Sequence, residues 1–126
     1  MIKYLFLILF IFNYANAEII KKIQVEGNYK ISDETIKVYG DINVNTNYNT
    51  TEINDVLKKL YATEFFETVD LNLQNGILKI NVKEYPAINA IKIEGTKSNK
   101  IRTAILERLD LKEKNSFIKS KLSDDI

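Results

Sequence analysis

The chain has no cysteine, no histidine and no tryptophan, and a single proline among its 126 residues. Without cysteine there are no disulfides, so a fold exported from the reducing cytosol must be held by core packing alone. The missing histidine and cysteine also remove the commonest metal ligands and the commonest general base. An excess of either charge is lacking too. Eighteen basic residues face 17 acidic ones, the signs are interleaved, and no basic stripe is available for nucleic acid. Glycine is scarce, four in all, and none forms a phosphate-cradling loop. No residue set typical of a catalytic, metal or cofactor site remains, and the sequence reads as a non-enzymatic protein without a cofactor.

The one long apolar run lies at the start. Met1–Ala17 reads MIKYLFLILFIFNYANA, with Lys3 as its sole charge and nine apolar residues from Tyr4 to Phe12. Ala15 and Ala17 are small residues spaced for signal cleavage between Ala17 and Glu18. This is the layout of a secretory signal peptide over residues 1–17. A membrane anchor needs about 20 apolar residues to span the hydrocarbon core, more than this run provides. The absence of a cysteine after it excludes a lipid-anchored form. Cleavage removes Lys3 and no acid, so the mature chain is electrically balanced.

Residues 18–85 read as one module. Ile19, Ile23 and Val25 alternate with Lys22, Gln24 and Glu26, the period of a strand with one solvated face, ending at Gly27-Asn28. Ser32 suits a helix N-cap, with Asp33 and Glu34 in the first turn and Gly40 at the far end. Asn43 to Asn49 is a polar loop, and Thr50 or Thr51 caps a second helix. There Ile53, Val56, Leu57, Leu60 and Tyr61 form one apolar stripe. Two alternating strands follow, Phe65–Gln74 and Leu78–Val82, separated by Asn75-Gly76, the strongest short signal for a two-residue hairpin. Pro86 stops the ladder. The order is strand, helix, helix, strand, strand, and each strand has one apolar face. That predicts a two-layer α+β module in which two helices cover one face of a sheet.

The pattern then starts again. Ile23-Gln24-Val25-Glu26-Gly27 recurs as Ile91-Lys92-Ile93-Glu94-Gly95, 68 residues later. One extra residue in the turn moves the offset to 69, which maps Ile36 to Ile105, Ile42 to Leu111, Tyr48 to Phe117, Ile53 to Leu122 and Leu57 to Ile126. Residues 86–126 are expected to be an incomplete second copy holding a first strand, a first helix and the start of a second helix. A copy that stops in mid-helix marks the sequence as a fragment of a longer protein, one that limited proteolysis should trim back to near Pro86.

The runs IQVEGNYKIS, LKKLYATEFFETVDL and LKINVKEYPAINAIKIEGTK, in this order, resemble the POTRA repeats of the Omp85 outer-membrane assembly proteins. The resemblance covers Glu18 to Ile126 and departs from the usual pattern at Thr96, where asparagine commonly follows the glycine. It implies a β-α-α-β-β fold with a three-stranded mixed sheet. It also implies a location on the periplasmic face of the outer membrane of a Gram-negative-type bacterium, joined to the membrane through a barrel not contained here. Unfolded outer-membrane proteins, periplasmic chaperones and accessory lipoproteins are the implied partners. A two-partner secretion transporter, or an envelope or division protein with one such module, is the alternative.

A binding mode follows from the strands. The resemblance places Phe66–Gln74 at the sheet edge, where unpaired N–H and C=O groups can accept an extended peptide as an added strand. Thr68, Asp70, Asn72 and Gln74 are the solvated positions beside that edge, and the plain alternative is that they only meet water. Asp33-Glu34 and Asp124-Asp125 read as helix first-turn charges, Phe65-Phe66 and Tyr61 as core with the phenol at the rim, and Glu84–Ala87 as a linker.

Overall fold

A computed structural model describes residues 17–125. Its elements in chain order are β1 (Glu18–Ile19), β2 (Lys22–Glu26), α1 (Asp33–Gly40), β3 (Asn47–Tyr48), α2 (Thr50–Ala62), β4 (Phe66–Gln74), β5 (Ile77–Glu84), α3 (Asn99–Arg108) and α4 (Lys119–Asp124). Of the signal-peptide reading only Ala17 falls among them, exposed; residues 1–16 and the Ile126 counterpart of Leu57 lie outside. No helix of the described residues is long and apolar enough to cross a membrane.

The sheet is mixed, as the resemblance implied. Its strand order is β2-β5-β4, with β2 parallel and β4 antiparallel to β5. The β4–β5 turn is Asn75-Gly76 with φ of 55° and 75°, the positive pair a two-residue turn needs. Register then sorts the side chains into rows. Ile23, Leu78 and Leu73 form one row, Val25, Ile80 and Leu71 the next, and Val82 and Val69 a third. These rows meet Ile36 of α1 and Val56 and Leu60 of α2 in a single core that also takes Phe66. Leu78 and Ile80 of the central strand are fully buried, whereas their partners on the flanking strands keep some exposure. The intervening rows, Gln24-Lys79-Asn72 and Glu26-Asn81-Asp70, face solvent.

Three local expectations are corrected. The segment Asn43–Asn49 is not all loop, because β3 within it pairs antiparallel with β1, Glu18 opposite Tyr48. Buried Tyr48 is the reason: its hydroxyl accepts from the Asn43 N–H and donates to the Asp41 carbonyl, pinning the segment. That pairing turns Ile20, not Ile19, into the core. The α2 cap is Asn49 rather than Thr50 or Thr51. Its Oδ1 accepts from the Thr51 and Glu52 N–H groups, and the Glu52 carboxylate accepts from the Asn49 N–H at 2.7 Å, a reciprocal capping box. Finally, Gly40 stays helical and Asp41 takes the left-handed position at φ 53°. Gly40 is kept small by packing, since a Cβ there would lie 2.8 Å from the Ile42 side chain.

Beyond Glu84 several hydrogen bonds and backbone angles match those around Ile20. Ile20 donates to Thr46 and accepts from Asn45; Ile88 donates to Asn115 and accepts from Lys114. Asn45 and Lys114 share a positive φ (60° and 68°), as do Gly27 and Gly95 (86° and 88°). An isolated bridge joins Ala87 to Ser116, where β1 and β3 pair in the first unit. One expectation differs: Ile91–Glu94 is not a hydrogen-bonded strand. β2 draws its ladder from β5, and among the described residues nothing plays that part for Ile91–Glu94. An open apolar groove of about 670 Å³ lies there, lined by Pro86, Ile88, Ile91, Leu111, Phe117 and Leu122 among others. No residue of α3 is buried.

Candidate functional site

The site is the free edge of β4. The strand pairs with β5 on one side only, which leaves the outer side open. Thr68, Asp70, Asn72 and Gln74 are all exposed, on the solvated face where the alternation put them. Their main chains do not form the edge. Gln74 and Ile77 flank the two-residue turn as a hydrogen-bonded pair, and in an antiparallel ladder such pairs alternate with non-bonded ones. Gln74, Asn72, Asp70 and Thr68 therefore direct N–H and C=O toward β5. The outward groups belong to Leu73, Leu71 and Val69, residues whose side chains pack on the helices. The two-residue turn already carried this parity in the sequence.

One outward donor is occupied. The Val69 N–H donates to the Tyr61 hydroxyl at 3.1 Å. Tyr61, next to last in α2, was expected in the core. Its hydroxyl is at the sheet rim as expected, but the residue is 43% exposed rather than buried. Among the described residues nothing bonds to the outward groups of Leu71 and Leu73. Near the strand start, a bulge between Phe66 and Thr68 carries Glu67, which pairs with Lys83 at 2.6 Å. The hydrogen bond and charge of Glu67 raise the Lys83 ammonium pKa above the usual lysine value. Phe65 stacks edge-on against Tyr39 and Phe66, with ring centroids 5.6 and 6.2 Å away, and fixes the α2–β4 corner as expected.

The buried carboxylate of Glu84 is the feature most like a catalytic group. It is 4% exposed and lies at the end of β5, not in a linker. Its oxygens accept from the N–H groups of Tyr29, Lys30 and Ile31 at 2.9 to 3.2 Å. The carboxylate thus ties the loop after β2 to the central strand. Asp33 is a first-turn residue of α1 and also accepts from the Asn28 amide. Asp124 and Asp125 sit at the end of α4, not in its first turn, and Asp125 accepts from the Asp110 and Leu111 N–H groups. Among the described residues no group of three or more carboxylates is placed to hold a metal ion.

Residues 18–85 match the family model POTRA, described as surface antigen variable number repeat. A protein named outer membrane protein assembly factor BamA from Neorickettsia risticii (strain Illinois) is 29% identical over 90 residues, which is 71% of this chain and 12% of that protein. Its namesake from Neisseria meningitidis serogroup B (strain ATCC BAA-335 / MC58) is 36% identical over 78 residues, 62% of this chain and 10% of that protein. The chain thus spans about a tenth of the length of these curated relatives. Among solved structures, the N-terminal domain of Omp85 from Thermosynechococcus elongatus superposes with a TM-score of 0.61 at 15% identity, over 88% of this chain and 48% of that one. The POTRA1-2 segment of the periplasmic domain of Omp85 from Anabaena superposes with a TM-score of 0.52 at 8% identity, over 86% of this chain and 73% of that one. At these identities the likeness is one of fold.

Proposed function

The chain belongs to the POTRA family, and from that premise we propose that it is the periplasmic part of an outer-membrane β-barrel assembly factor that holds unfolded client chains on the free edge of β4. The single observation behind the binding mode is the pair of unfilled outward main-chain positions at Leu71 and Leu73. The relatives' shared name, outer membrane protein assembly factor, supports the process. In this reading the chain is exported by residues 1–17 and cleaved between Ala17 and Glu18. It works beside chaperones and accessory lipoproteins, with residues 86–126 as a second, incomplete copy of the module. The repeated bonds of Ile20 and Ile88 support that copy, as does a superposition with a two-POTRA segment extending well past residue 85.

Backbone pairing is indifferent to sequence, which suits a receptor for many clients. Two outward residues offer four hydrogen bonds, each worth about 0.5–1.5 kcal/mol net, so roughly 2–6 kcal/mol before the client's ordering entropy is subtracted. That corresponds to millimolar rather than nanomolar affinity, a hold brief enough to pass a client on. The test is an NMR titration with a nine-residue peptide alternating apolar and polar residues, and with its counterpart N-methylated at alternate positions. N-methylation on the pairing side removes two donors and should weaken binding by about 30-fold, from about 1 kcal/mol per bond. Equal binding of the two peptides contradicts strand addition.

A further inference from the structure

We infer that Tyr61 is the stop that sets where, and over what length, a client strand pairs with β4. The inference rests on the strand-addition reading and adds a register to it. Of the three outward residues on β4, only Val69 has its donor filled, by the Tyr61 hydroxyl at 3.1 Å. The phenol is not a loosely placed group. Tyr61 is fixed on a 13-residue helix that is anchored at its start by the Asn49–Glu52 capping box. The neighbouring helix residue Leu60 is fully buried, which fixes that end of α2 against the sheet. A client strand running along the edge from the turn therefore meets free groups at Leu73 and Leu71, then a closed donor at Val69. Pairing further would require the phenol to be displaced from the Val69 N–H, so that bond is only exchanged and the gain falls to the one at the Val69 carbonyl.

The open stretch also has a side-chain socket. A shallow pocket of about 200 Å³ lies beside Leu73, between the first turn of α2 and β1, lined by Tyr48, Ile53 and Leu73 together with the polar Glu18, Asn49 and Thr50. In strand addition the backbone supplies affinity and such pockets receive alternate side chains. The preferred client is thus a short extended segment whose residue opposite Leu73 carries a side chain small enough for this pocket. Tyr61 limits its pairing to the Leu71–Gln74 end.

The experiment is amide hydrogen exchange on the isotope-labelled chain, with and without the nine-residue alternating peptide, in the wild type and in Tyr61→Phe. In the wild type the peptide should add protection at the Leu71 and Leu73 amides and none at Val69. In Tyr61→Phe the free chain should exchange its Val69 amide faster. The peptide should then protect Val69 as well and bind about fivefold tighter, the worth of one more backbone hydrogen bond. Added protection at Val69 in the wild type overturns the stop while leaving strand addition intact, and so does an unchanged pattern in the variant. If no β4 amide gains protection in either protein, strand addition itself fails and the stop falls with it. Should the variant fold poorly, the wild-type arm alone can still overturn the stop, through added protection at Val69.

Discussion

Gly27 and Gly95 share a backbone conformation and differ in what surrounds them, so the same substitution at each separates backbone strain from strand packing. Both have positive φ, 86° and 88°. A Cβ at Gly27 would lie 2.0 Å from the Val82 carbonyl oxygen, whereas at Gly95 nothing lies within 4 Å. Ordinary van der Waals contact starts at about 3.4 Å, so Gly27→Ala must part β2 from the central strand by more than an ångström. The strained φ costs about 1–2 kcal/mol at either position. At Gly27 two ladder bonds at the end of β2 are lost as well, at about 0.5–1.5 kcal/mol each. The expected penalties are roughly 2–5 kcal/mol for Gly27→Ala and about 1–2 kcal/mol for Gly95→Ala. A unit of this size has a stability of about 3–10 kcal/mol, so the first substitution removes a large share of it. Urea unfolding followed by far-UV circular dichroism measures both. A Gly27→Ala penalty no larger than that of Gly95→Ala would refute the packing of Gly27 on Val82.

Two further outcomes follow from the same contacts. Glu84→Gln keeps an acceptor for the Tyr29–Ile31 loop but loses the charge on those bonds. It should cost about 1–2 kcal/mol, and with it roughly 5–15 °C of Tm in a thermal melt; an unchanged Tm contradicts the anchoring role. The Asp41 carboxyl is held below the usual aspartate range, first by its hydrogen bond to Lys59 at 2.9 Å and then by the lysine charge. A depressed folded pKa gives stability that is present above the unfolded value near 3.9 and is lost as the pH falls through the folded value. Lys59→Met should therefore flatten the loss of stability below about pH 5, and an identical acid limb in both proteins contradicts the pairing.

What the sequence revealed and what it hid follow from the range of each interaction. The Ile53–Tyr61 stripe, the strand alternations within residues 22–84 and the Asn75-Gly76 turn are local signals, and each produced its element. The same turn makes the parity of β4 legible: it sets Thr68, Asp70, Asn72 and Gln74 on the solvated face and turns the main-chain groups of Leu71 and Leu73 outward. β3 was hidden because two residues show no alternation, and its anchor is the Tyr48 hydroxyl reaching back to Asp41. Tyr61 fitted the apolar stripe, and nothing in its spacing announces that its helix ends over the sheet rim. Glu84 was hidden for the opposite reason, since its partners lie more than fifty residues away. At Ile91–Glu94 the local pattern is that of a strand, but a strand needs a partner, and local sequence does not supply one.

Whether the open edge of β4 takes a client as an added strand is decided by isotope-edited NMR contacts between the labelled chain and the unlabelled alternating peptide. Interstrand proton contacts are expected at Leu71, Asn72 and Leu73. Contacts confined to α1, α2 or the groove beyond Pro86, with none along β4, would contradict the proposal.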